Sequence, residues 1–244
     1  MNRTSITGLA CLLAVALTAC AGGGEPPAPS GSPASAPLEA LKEPANSMSV
    51  SPPLSPAPVS AEALAAYRAL LAGEPGALDR PPEGLELHQV TLPPAEELEY
   101  VLLDLDGDGG AELVVQMVAQ PHQFNAVFHY GDGELSCWQY DIMEMSCRDY
   151  PLGDGAMVRQ YDTGTGPNRY SNLYTVFRYL PDGETEECAS LAVHQDTQED
   201  GTEVFTYLVD DAEVDQDTFA AEFEELVGSR LLSLEDWTPA TERP

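Results

Sequence analysis

Residues 100–116, Tyr-Val-Leu-Leu-Asp-Leu-Asp-Gly-Asp-Gly-Gly-Ala-Glu-Leu-Val-Val-Gln, constrain the fold of this chain more than any other stretch. Two short apolar runs, Val101, Leu102, Leu103 and Leu113, Val114, Val115, enclose four carboxylates within nine residues: Asp104, Asp106, Asp108 and Glu112. The runs are rich in β-forming residues and too short for helices, so strands are predicted on both sides. Gly109 lets the chain turn back, which returns Glu112 toward the three aspartates. Four such charges repel one another unless a cation neutralises them or their pKa values rise. A plain Asp-Gly turn accounts for one of the acids and leaves three unexplained. The alternation suits a hard cation such as Ca²⁺, which takes six to eight oxygens at roughly 2.3–2.6 Å from side chains of alternate residues and a backbone carbonyl. Here that carbonyl is Gly110's.

The flanks choose between two calcium loops. An EF-hand has helices on either side and a bidentate Glu at loop position 12. Counted from Asp104, that position is Val115. The strand-loop-strand form, with its fourth carboxylate at position 9, resembles the calcium loops of FG-GAP and VCBS repeats. The resemblance implies Ca²⁺ bound by Asp104, Asp106, Asp108, the Gly110 carbonyl and Glu112. Those families repeat the motif to build propeller blades. Here it occurs once, so a propeller is not expected.

The chain carries 41 acidic against 10 basic residues, a formal net charge of −31. A surface this negative repels phosphate backbones, so nucleic acid is not an expected partner.

Residues 1–20 read as an address. Arg3 supplies a basic start, residues 6–17 an apolar core, and Leu17-Thr18-Ala19-Cys20 closes it. That tetrad resembles the bacterial lipobox, which implies acylation (palmitate included) of Cys20 and an anchor on the outer face of the cytoplasmic membrane. The run is too short to span roughly 30 Å of hydrocarbon. Residues 21–58 are rich in Pro, Ser, Gly and Ala. They cannot bury enough apolar surface to offset ordering, so a disordered tether is expected.

One β-rich α+β domain is predicted over residues 59–238, followed by a loose tail at 239–244. Ser60 caps a helix beginning at Ala61, Gly73 stops it, and Leu64, Tyr67, Leu70 and Leu71 form its apolar stripe. Strands are expected near 85–90, 100–103, 113–118, 126–130, 135–140, 157–161, 170–180, 189–193 and 204–209. Asp-Gly pairs at 132, 154, 182 and 200 punctuate them, the pattern of an antiparallel meander of hairpins. A second helix follows, capped by Asp215, with Phe219, Phe223, Leu226 and Val227 on one face. In layout the chain resembles small lipoproteins of Firmicutes, a resemblance that implies no particular activity.

Other chemistry is sparse. Cys137 and Cys147 lie symmetrically about Ile142, so a hairpin turning there permits either a disulfide or two thiols. Cys188 has no catalytic context. His88, His122, His129 and His194 lack metal-type spacing. The Gly-rich loop at 162–168 lacks the Lys and helix of a phosphate cradle. The expectation is a lipid-anchored extracytoplasmic binding or scaffold module with one structural calcium site. Its partner would be a cell-surface protein or a glycan met by exposed aromatics such as Trp138, Tyr161 and Tyr170. The alternative is a secreted-type hydrolase whose catalytic carboxylates the sequence does not single out.

Overall fold

The structure is a computed structural model, and it describes residues 57–119, 124–142, 147–166, 168–242 and 244. All of them fall in the compact unit Asn46–Pro244. The leader, Cys20, the tether up to residue 56 and His122 lie outside the described residues. Among those described, no helix is long and apolar enough to cross a membrane.

The predicted antiparallel meander is present, divided between two sheets. The first contains β1 (Leu98–Leu103), β2 (Glu112–Met117), β3 (Phe124–Gly131) and β4 (Glu134–Ile142). The second contains β5 (Cys147–Pro151), β6 (Met157–Gly166), β7 (Arg169–Tyr179), β8 (Thr185–Thr197), β9 (Glu203–Val209) and β10 (Ala212–Val214), neighbours in chain order. The β3–β4, β5–β6, β7–β8 and β8–β9 hairpins turn where Asp-Gly pairs stand, whereas β9–β10 turns at Asp210-Asp211. At Asp132-Gly133 both residues have positive φ, 54° and 82°, the mirror-image turn whose twist matches the strands it joins.

Helix α1 (Ala61–Leu71) starts where Ser60 Oγ accepts from the Ala63 N–H at 3.0 Å, a cap contributing about 1 kcal/mol. Tyr67, Leu70 and Leu71 bury against one face of the first sheet, among Tyr100, Leu113, Val115, Ala126 and Phe128. Leu64 is only half-buried. The opposite face of that sheet offers Val101, Leu103, Val114 and Val127, which pack against Met157, Phe177 and Tyr179 of the second. Helix α2 (Gln216–Leu226), capped by Asp215 accepting from Thr218 N–H at 2.7 Å, covers the second sheet. There Phe219 meets Tyr207 at 5.3 Å and Phe223 meets Tyr174 at 5.1 Å between ring centres. Burying each such side chain contributes roughly 1.5–3 kcal/mol.

A polar network joins the sheets where the apolar contacts end. The Asp149 carboxylate, in β5, accepts from Arg159 in β6 at 2.6 and 3.0 Å and from Gln139 of β4 at 2.9 Å. The Tyr179 hydroxyl donates to Gln139 Oε1 at 2.6 Å.

Two expectations are corrected, and one alternative left open by the sequence is decided. Residues 85–90 are not a strand: Leu87–Gln89 is a 3-10 turn, because Glu86 N–H donates to the Gln89 side chain at 2.7 Å and local bonding displaces a ladder. Of the tail expected to be loose, residues 239–242 take regular structure. Thr238–Pro239 forms β11, which pairs with β1 and covers its otherwise open edge, and Ala240 is fully buried. No disulfide joins Cys137 and Cys147. The meander breaks between β4 and β5, so the two cysteines stand in different sheets, and Cys137 is buried on the α1 side with its Sγ 3.1 Å from Gln139 O.

Candidate metal centre

The acid-rich stretch forms the loop between β1 and β2, with strands on both sides as its flanking residues predict. Leu103 pairs with Glu112 at the base, so the loop is closed at its first and last residues. Within it the carboxylates fold back on the backbone. Asp104 accepts from Gly107 N–H at 2.7 Å and Gly109 N–H at 3.2 Å, and Asp106 from Asp108 N–H at 3.0 Å. Gly110 N–H donates to Asp108 Oδ1 at 2.6 Å. Gly109 has φ +89°, which a side chain would resist.

Two parts of the fold hold the loop from outside. The Tyr67 hydroxyl of α1 donates to Ala111 O at 2.8 Å, and burial with the nearby Glu112 charge pushes its pKa well up. On the other side, the β5–β6 turn presses on the Asp104 carbonyl. A Cβ on Gly155 would stand 2.0 Å from that oxygen, so glycine is needed there for packing as well as for its φ of +83°.

The four acids resolve into two overlapping groups. Asp104, Asp106 and Asp108 bring one ligand atom each within 4.8 Å of one another, and so do Asp106, Glu112 and His129. Asp106 belongs to both. Glu112, 1 % exposed, accepts from Leu105 N–H at 2.7 Å through Oε2 and meets His129 Nδ1 at 3.0 Å through Oε1. This acidic cluster could hold a metal ion. The aspartate trio is an all-oxygen set suited to a hard cation, whereas the trio with an imidazole also suits borderline metals.

Electrostatics make the cluster uncomfortable alone. Two ionised carboxylates 4.8 Å apart repel by about 3 kcal/mol at an effective dielectric near 20. Burial pushes the Asp106 carboxyl up, and the Asp108 and Asp104 charges add to it. Burial likewise raises Glu112, against the lowering by its bonds to His129 and Leu105. For His129 burial works downward, but the bond to Glu112 and the surrounding acids outweigh it and its pKa rises. Among the described residues no arginine pairs with any of the four carboxylates, and Asp106 Oδ2 is buried with no hydrogen-bond partner.

His129 is the residue that sequence spacing missed. The β2–β3 register pairs Leu113 with Phe128 and Val114 with Val127, and one step further carries Glu112 opposite His129. That signal needs the register, which the chain between the strands does not reveal. The other described histidines stay apart: His88 lies beside Glu86 at the surface, and His194 Nδ1 is 2.7 Å from Ser171 Oγ in the second sheet.

Beyond His129 a cleft of about 630 Å³ opens, lined among others by Glu83, Ser136, Trp138, Asp182 and Glu184. Trp138 is not the open aromatic platform expected from sequence. Its ring stacks on His129 at 4.3 Å with an 11° tilt, and Tyr179 stands 5.1 Å away. Tyr161 and Tyr170 are exposed, 39 % and 41 %. No family model, curated protein or solved structure matches this chain, so its function is read from the loop and its surroundings alone.

Proposed function

We propose that this chain is a lipid-anchored extracytoplasmic binding or scaffold module of a bacterial surface, stiffened by one structural Ca²⁺ in the β1–β2 loop. Asp104, Asp106 and Asp108 supply the first oxygens, with the Gly110 carbonyl and Glu112 completing the set. The observation that carries the reading is the Asp106 carboxylate. It sits where the two ligand groups overlap, and one of its oxygens is buried without any donor. A bound cation would satisfy that oxygen and cancel the repulsion at once, and the binding energy would add to fold stability. A weak site serves outside cells, with Kd on the order of 10⁻⁴ to 10⁻³ M, because calcium there is abundant.

Anchoring rests on the Leu17-Thr18-Ala19-Cys20 tetrad and the Pro-rich spacer after it. Mass spectrometry of membrane-extracted protein tests it: the mature chain should begin at an acylated Cys20. A thermal melt with Ca²⁺ and with EGTA tests the metal, and an unchanged midpoint would sink it. The hydrolase alternative has less behind it. The buried carboxyls with raised pKa, Glu112 and Asp149, belong to the loop and to the inter-sheet network, and neither lines the cleft.

A further inference from the structure

We infer that the cleft beside the metal loop binds a primary alkylammonium group, an inference that rests on the binding-module reading and gives it a ligand class. The walls come from three places in the chain: the segment after α1, the β3–β4 hairpin and the β7–β8 turn. Its volume, about 630 Å³, is that of a small-molecule or side-chain site.

Charge gives the sign of the ligand. Four exposed carboxylates line the cleft, Glu83, Asp132, Asp182 and Glu184, and among the described residues none of them takes part in an ion pair. The one arginine of the lining, Arg80, is already held by Glu134 at 3.0 Å, and His129 is held by Glu112. The cleft therefore keeps an unbalanced negative field that attracts cations.

Ser136 supplies an observation independent of the acids. It pairs with His129 in the β3–β4 ladder, so both side chains stand on the face that lines the cleft. The residue is only 6 % exposed, and its hydroxyl has no hydrogen-bond partner. A buried hydroxyl left unpaired is costly, and a ligand N–H would satisfy it.

Shape favours an ammonium on an aliphatic stem. Arginine-like groups gain by stacking on aromatic faces, and sugars do likewise, but the Trp138 face is taken by His129. An ammonium is a compact charge with three donors, able to meet Ser136 and the rim carboxylates together. A free diamine and a lysine side chain of a peptide share this chemistry.

Calorimetric titration of the full chain at physiological ionic strength, with calcium present, tests the inference. The probes are cadaverine, Nα-acetyl-lysine amide and the neutral isostere pentane-1,5-diol. Both or either amine should bind and the diol should not; the tighter amine identifies the source. Asp182→Asn and Glu83→Gln should each weaken binding roughly twofold to fivefold, and Ser136→Ala by about fivefold. Asp210→Asn, in the β9–β10 turn away from the cleft, should leave it unchanged. The inference is overturned if neither amine binds, if the diol binds as well, or if Asp210→Asn weakens binding as much as Asp182→Asn, which would mean general attraction to an acidic surface. Because calcium is read from the thermal midpoint and the amine from heat of binding, failure of one leaves the other standing.

Discussion

Asp149 and Asp106 are both carboxylates drawn into the protein, and burial pushes both pKa values up. The chain treats them differently. Asp149 receives Arg159 through three contacts and Gln139 through a fourth, so its charge is answered from within. Asp106 receives one backbone N–H, has three acidic neighbours, Asp104, Asp108 and Glu112, against the single imidazole of His129, which Glu112 already holds, and keeps a buried oxygen without a donor. A buried charge with its own counter-charge is a structural joint. One without is a request for an ion from outside. The contrast predicts that the first site ignores calcium and the second depends on it.

Breaking the self-sufficient site should have the largest effect. Arg159→Met leaves Asp149, whose side chain is fully buried, without its counter-charge, a change that costs about 3 kcal/mol. For a domain of this size the thermal midpoint should fall by about 10 °C, equally in calcium and in EGTA. The loss should shrink in acid, where Asp149 takes up a proton and the unpaired charge disappears. A loss that calcium repairs would erase the distinction between the two regions.

The metal loop should give the next effect, with opposite signs in the two conditions. At calcium one hundred times above Kd the parent gains about 2.7 kcal/mol, a midpoint rise of several degrees that EGTA removes. Asp106→Asn should abolish that rise. In EGTA the same variant should melt slightly above the parent, since the raised pKa of Asp106 means its ionised form destabilises the metal-free fold above the ordinary carboxylate range. Calorimetric melts of both proteins in both buffers check the crossing. Parallel curves would mean that the loop is only a turn.

Tyr67→Phe sharpens the same point at smaller scale. It removes the donor to Ala111 O, at about 1 kcal/mol. Since α1 then holds the loop less firmly, calcium should recover part of the loss. Full loss in both buffers would show that helix and ion act independently.

How much of this was legible beforehand follows from the range of each interaction. The caps at Ser60 and Asp215 and the Asp-Gly turns depend on neighbours three residues apart, and each stands where the sequence predicts. The Asp104, Asp106 and Asp108 grouping is likewise local. His129 is distant from Glu112 along the chain and joins it only through the β2–β3 register. The division into two sheets was hidden for a related reason: nothing between Tyr140 and Arg148 distinguishes another hairpin turn from a crossing between layers. The 3-10 turn at Leu87–Gln89 and the edge strand Thr238–Pro239 depend on a single side-chain bond and on an open edge found far away.

Asp154 sets the lower end of the comparison, because it is answered by the chain as Asp149 is but remains open to water. Arg230 reaches it at 2.6 Å and Arg178 at 2.9 Å, with the carboxylate side chain 44 % exposed. Partial burial would raise its pKa, but the bond and charge of Arg230, with help from Ala156 N–H and Arg178, outweigh that and the pKa falls. A lowered folded-state pKa gives stability that is complete above the ordinary carboxylate range and is lost as pH drops through the folded value. Solvent screening limits it to about 1 kcal/mol or less. Asp154→Asn should therefore melt a few degrees below the parent at neutral pH, and the gap should close only as acid takes the parent's carboxylate through its lowered pKa, below the ordinary carboxylate range. If the gap instead persists in acid, the turn is held by packing against Asp104 and not by charge. Exposure would then have removed the electrostatic contribution altogether, leaving the buried Asp149 as the case where an internal counter-charge matters.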